Sequence, residues 1–134
     1  MAGQLTIDTL KASSGVLATQ NGMTGIAKAW VAFNGGNGNT AGTITASFNV
    51  SSITVNGTGD YTVNYTTALA SASYSVCGGS SRSDPNNGPF GLAVNVTTTP
   101  TTGLVRVHTG YGGSQASAGS NQNCVNAYVA IFGA

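Results

Sequence analysis

Apolar and polar residues alternate with a period of two along most of this chain. Ile44, Ala46, Phe48 and Val50 share one parity, and Thr43, Thr45, Ser47 and Asn49 share the other. That period marks a strand with one buried and one wet face. After Ser51-Ser52 the apolar parity switches to Ile53 and Val55, and Asn56-Gly57-Thr58-Gly59-Asp60 follows, a run suited to a tight turn. Tyr61, Val63 and Tyr65 then resume the alternation. Two such runs around an Asn-Gly loop predict a β-hairpin.

The same pattern predicts further strands. Ala72, Tyr74 and Val76 alternate, as do Phe90, Leu92, Val94 and Val96, and then Val105 and Val107. Gly78–Pro89 and Gly110–Gln122 read as long polar loops. No helical period occurs, so the fold expected is all-β: an antiparallel β-sandwich or jelly-roll-like single domain over residues 25–134. Residues 1–24 read as an N-terminal arm or as an extension lacking its own core. Within it Gln4–Leu10 alternates weakly, and Ala12–Gly22 is rich in Ser, Thr, Gly and Asn. A strand-like segment at a terminus needs a partner, so the arm is expected to pair with a neighbouring chain or dock on a larger assembly.

Two segments depart from simple alternation. Ala29–Phe33 and Cys124–Phe132 are apolar on both parities, which implies cover on both faces. Trp30, the sole tryptophan, reads as a core anchor rather than a ligand contact. Lying side by side, the two strands would present an apolar outer patch of the kind that marks an interface. Trp30, Phe33, Tyr128 and Phe132 are therefore the candidate subunit-contact residues.

Composition narrows the function classes. Of 134 residues only 5% are charged, and the formal net charge is +1. That balance offers nothing to nucleic acid or to an anionic membrane, and the 40% hydrophobic content argues against disorder. The start, Met1-Ala2-Gly3-Gln4, has no basic n-region, and no apolar run has the length of a membrane span, so the expected place of synthesis and assembly is a cytoplasm. The N-x-[ST] triplets at Asn49, Asn56, Asn64 and Asn95 are then chance products of composition. Cys77 and Cys124 belong to no metal-ligand spacing; reduced thiols are the expectation, with a bridge between them geometrically open.

Catalytic signals are thin. Gly36-x-Gly38-x-x-Ala41 fits a dinucleotide fingerprint by letter, but a strand rather than a helix follows it. Gly112-Gly113-Ser114-Gln115-Ala116 misses the nucleophile elbow at its last position. His108 and Arg106 read as solvated residues on a wet strand face, and Asp60 and Asp84 as turn residues. A non-enzymatic protein without metal or cofactor is the expectation. The two long loops hold Arg82, Asp84, Asn86, Asn87, Tyr111, Gln115 and Asn121, whose guanidinium, amide and aromatic groups suit sugar hydroxyls and ring faces. These are the candidate receptor-contact residues.

One phrase is specific. Gly22-Met23-Thr24-Gly25-Ile26-Ala27-Lys28-Ala29-Trp30-Val31 followed by SFNVSSITVNGTGDYTVN resembles a module of tailed-bacteriophage structural proteins, with a KAWV-x-F segment, a Gly/Asn turn and a hairpin. The likeness spans Gln20–Ala70, with a looser echo in Ala127–Gly133. It implies a virion component, most often a short tail-fibre or tail-associated protein acting as a homotrimer in host attachment. Its partners would be its own copies, other virion proteins reached through the N-terminal arm, and host-surface glycan. A capsid-decorating or baseplate protein with a purely architectural role is the alternative, since no shaft-like repeat recurs at fixed spacing.

Overall fold

The computed structural model describes residues 25–82, 90–95, 97–112 and 120–133. The N-terminal arm therefore lies outside the described residues. Eight strands form: β1 (Ala29–Asn34), β2 (Ile44–Phe48), β3 (Val50–Gly57), β4 (Asp60–Tyr65), β5 (Ser75–Ser80), β6 (Phe90–Val94), β7 (Leu104–Tyr111) and β8 (Asn126–Phe132). They build two four-stranded antiparallel sheets, ordered β2-β1-β8-β5 and β3-β4-β7-β6. No helix occurs among the described residues. The β-sandwich expected from the alternation is the fold.

The sheets meet through the apolar parity of their central strands. Val31 and Phe33 of β1 and Ala127, Val129 and Ile131 of β8 face Tyr61 and Val63 of β4 and Val105 and Val107 of β7, all buried. Phe33 and Tyr61 meet edge to face with ring centroids 5.1 Å apart. The Tyr61 hydroxyl donates to the Gly35 carbonyl at 2.5 Å, so this ring buries its polar tip with a partner. Burial pushes its ionisation up to about 12.

The hairpin at Asn56–Asp60 forms as expected, joining β3 to β4 through Thr58 and Gly59, the latter at φ 61°. A Cβ on Gly59 would also lie 2.4 Å from the Thr109 carbonyl oxygen, so glycine is required twice over. The parity switch upstream has a structural cause. β2 belongs to one sheet and β3 to the other, and the chain crosses between them at Asn49, with φ 54°. Asparagine tolerates that left-handed conformation. Its amide then donates to the Lys28 and Thr67 carbonyls, and its Oδ1 accepts from the Thr67 N–H. The crossing thus sits at Asn49, ahead of the Ser51-Ser52 position that the alternation suggested.

Two element boundaries and one strand face differ from expectation. β5 starts at Ser75 and continues through Gly78-Gly79-Ser80, which composition assigned to a loop; pairing with Tyr128 and its neighbours on β8 overrides the low strand propensity of glycine. β7 likewise extends through Gly110 and Tyr111, held by β6 and by a bridge from Gly110 to Asn121. β2 is expected to bury the face of Phe48, yet Phe48 is 46% exposed, because nothing among the described residues covers the outer side of that sheet.

Candidate functional site

The two outer faces of the sandwich are chemically opposite. On the β2-β1-β8-β5 sheet the register aligns Phe48, Trp30, Ala130 and Cys77 in one cross-strand row and Ala46, Ala32, Tyr128 and Gly79 in the next. Neither row holds a charged side chain. Trp30, Phe48 and Tyr128 are 40%, 46% and 49% exposed. Between Trp30, Tyr128 and Phe132 runs an apolar groove of about 520 Å³, its floor formed by Ala32, Ala130, Cys77, Gly78 and Gly79. Large rings standing beside a small-residue floor make a surface shaped to receive protein.

The sequence-derived interface residues divide here. β1 and β8 do lie side by side, and Trp30, Tyr128 and Phe132 share the outer face. Phe33 does not: it is fully buried between the sheets and cannot contact another subunit from that position. Trp30 in turn is no core anchor. The two residues sit on opposite parities of one strand, and a strand apolar on both sides carries no local signal of which side meets the core.

The outer face of β3-β4-β7-β6 is polar. Asn64 donates to the Ser52 and Thr54 hydroxyls, and Asn56 to Thr62. At its centre Arg106 grips the Asp60 carboxylate with two nitrogens, Nε at 2.8 Å, and donates to the Thr98 hydroxyl. The Arg106 guanidinium beside Asp60 holds that carboxyl below its usual range. His108 Nε2 lies 3.5 Å from Asp60 Oδ1 and 2.5 Å from Asn95 Nδ2. Asn95 is oriented by its Oδ1, which accepts from the Thr97 N–H and hydroxyl. Arg106 and His108 lie partly exposed on the wet face, as expected, but cross-strand register between β4 and β7 gives them a partner by bringing Asp60 opposite His108 and beside Arg106.

Beside this cluster a shallow cleft of about 330 Å³ opens over Gly91, Ala93 and Gly110, walled by His108, Tyr111, Ser120 and Asn121. Of the candidate receptor-contact residues, Tyr111 and Asn121 both line it. Arg82 is adjacent, its guanidinium carbon 4.3 Å from the Tyr111 ring centre and 5.3 Å from that of Phe90, a cation–π stack on an edge-to-face aromatic pair. Asp84, Asn86, Asn87 and Gln115 lie outside the described residues. His108 and the Arg82 stack on Phe90 were not expected at this site; the cross-strand pairing of Phe90 with Tyr111 creates the stack, and no local motif announces it.

The cysteines do not meet. Cys77 is exposed on the edge strand β5 of the apolar face, Cys124 is buried beneath Gly35, and both are free. A Cβ on Gly35 would lie 2.1 Å from the Cys124 sulfur, which leaves no room for a second sulfur there. No family model matches this chain, and no curated protein or solved structure matches it.

Proposed function

We propose that this chain is a non-enzymatic structural protein of a tailed-phage virion, a short tail-fibre or tail-associated module that acts as a homotrimer in host attachment. The observation that carries self-association is the uncharged outer face bearing Trp30, Phe48 and Tyr128. A sandwich that ends its work as a single copy has both outer faces wet, as the β3-β4-β7-β6 sheet does here. The virion assignment is supported by the KAWV-x-F and SFNVSSITVNGTGDYTVN phrases. In this reading the apolar face is shared between copies. The cleft walled by His108, Tyr111 and Asn121, with Arg82 beside it, is then turned outward, towards host glycan.

Substituting both rings tests the reading. In sedimentation the native chain is expected to run at about 40 kDa, three times 13.2 kDa. The double variant Trp30→Ser, Tyr128→Ser runs at the mass of one chain while keeping its β-sheet circular dichroism. A double variant that stays at the native mass would remove this face from the assembly.

A further inference from the structure

Each side of the sandwich brings two edge strands together. β5 and β6 lie together, with Leu92 against Gly78. At the opposite side β2 and β3 meet, with Gly42 against Val55, and among the described residues β3 is an edge strand that pairs with β4 alone. It is the longest of the four edge strands and contains neither charge nor proline, the usual guards of an open edge. Register irregularities at Val50/Ser52 and Val55/Gly57 bracket a regular stretch, Ser52–Val55. Within it Ile53 and Val55 point with the core parity of Val63 and Tyr61, yet Val55 is 45% exposed. An inward-facing valine left half uncovered at an unguarded edge marks a missing neighbour.

We propose that the free edge of β3 receives the segment Gln4–Leu10 of a neighbouring copy as a fifth strand of this sheet. The inference rests on the reading that the chain self-associates, and deepens it by naming the segment exchanged. The alternation of that segment fits the edge. Leu5 and Ile7 on one parity would extend the apolar row of Ile53 and Val55, and Thr6 and Asp8 on the other would join the wet row of Ser52 and Thr54. Main-chain hydrogen bonds supply the attachment and the alternating side chains set the register.

The length of the connection assigns the strand to a neighbour. The Lys28 carbonyl accepts from the Asn49 side chain, so the start of β1 lies beside the start of β3. A strand of the same chain could return along β3 from there through a hairpin of about 2–5 residues. The chain instead places residues 11–27 between them, a stretch rich in Ser, Gly and Thr. At ~3.3 Å per residue these span roughly 55 Å when extended, further than such a return needs and enough to cross to the next subunit. In a threefold ring each arm passes to the next copy, so the exchange closes on itself.

Mixed-chain crosslinking tests the exchange. Chains carrying Ile7→Cys are mixed with chains carrying Val55→Cys, both also Cys77→Ser so that the exposed native thiol takes no part. Neither variant can form this bond alone, so a disulfide-linked dimer of the two, at about twice 13.2 kDa, reports the strand in a neighbour. Ile7→Cys mixed with Ala93→Cys on β6 is the control pair. In parallel, amide exchange is compared between the full chain and one lacking residues 1–10. The expected result is the mixed dimer, with the Ser52–Val55 amides that point away from β4 exchanging about tenfold or more slowly in the full chain. Equal exchange in both chains and no dimer above the control overturns the proposal, as does protection in the full chain with no mixed dimer. If the native mass stays near 40 kDa in either case, self-association stands without the exchanged strand; a single-chain mass removes both.

Discussion

Tyr61 and Tyr65 lie four residues apart on the same buried parity of β4, yet their hydroxyls have opposite fates. That of Tyr61 donates to the Gly35 carbonyl, whereas that of Tyr65 is buried with no hydrogen-bond partner among the described residues. Removing the first orphans a buried carbonyl; removing the second relieves a desolvated hydroxyl. Tyr61→Phe is therefore expected to cost about 1–2 kcal/mol, and Tyr65→Phe to be neutral or stabilising, as read from denaturant midpoints. The Asp60–Arg106 pair sets an acid limit. Because the folded state lowers the Asp60 pKa, its contribution is present above the ordinary value of 3.8 and is lost as pH falls through the lower folded value. Asp60→Asn is expected to flatten that part of the stability–pH curve, which acid titration of the unfolding midpoint measures. None of this was legible locally, since Asp60 and Arg106 lie in β4 and β7 and only the register between those strands unites them.

At the scale of the element, β1 states the lesson about parity. Alternation located the strands and the hairpin turn, because a period of two survives in the sequence wherever one face is wet. It could not orient Ala29–Phe33, where both parities are apolar, and so Phe33, expected at a subunit contact, lies in the core, while Trp30, read both as core anchor and as contact residue, lies on the outer face. Glycine content misled in the other direction at Gly78-Gly79, where a central neighbour, β8, holds the strand. The orientation has a measurable consequence. Phe33→Ala empties a core position and is expected to lower unfolding free energy by about 3–5 kcal/mol at any protein concentration. Trp30→Ser is expected to lower the midpoint only at concentrations where copies associate, since in a single chain that ring is an exposed one. Denaturant melts of both variants at two concentrations separate the two effects.

For the whole molecule, the organising fact is the contrast between the two outer faces. One carries hydrogen-bonded Asn, Ser and Thr around an Arg–Asp pair; the other carries Trp30, Phe48 and Tyr128 with no charge among them. Of the seven charged residues of the chain, Asp60 and Arg106 lie on the polar sheet, whose face is otherwise kept wet by amides and hydroxyls. The fold class was legible because turn residues and alternation repeat along the whole chain. The cleft and the Arg82 stack were only half legible: loop composition pointed to Arg82, Tyr111 and Asn121, but their partners His108 and Phe90 come from strands paired across the sheet.

The measurement that bears most directly on the account is the solution mass of the native chain by light scattering, followed on dilution. Burial of the β2-β1-β8-β5 face between copies predicts about 40 kDa, from subunits of 13.2 kDa, falling to the single-chain mass only when diluted. A mass of 13.2 kDa that stays constant up to high concentration would contradict it, and would leave the uncharged face of Trp30 and Tyr128 without the partner assigned to it.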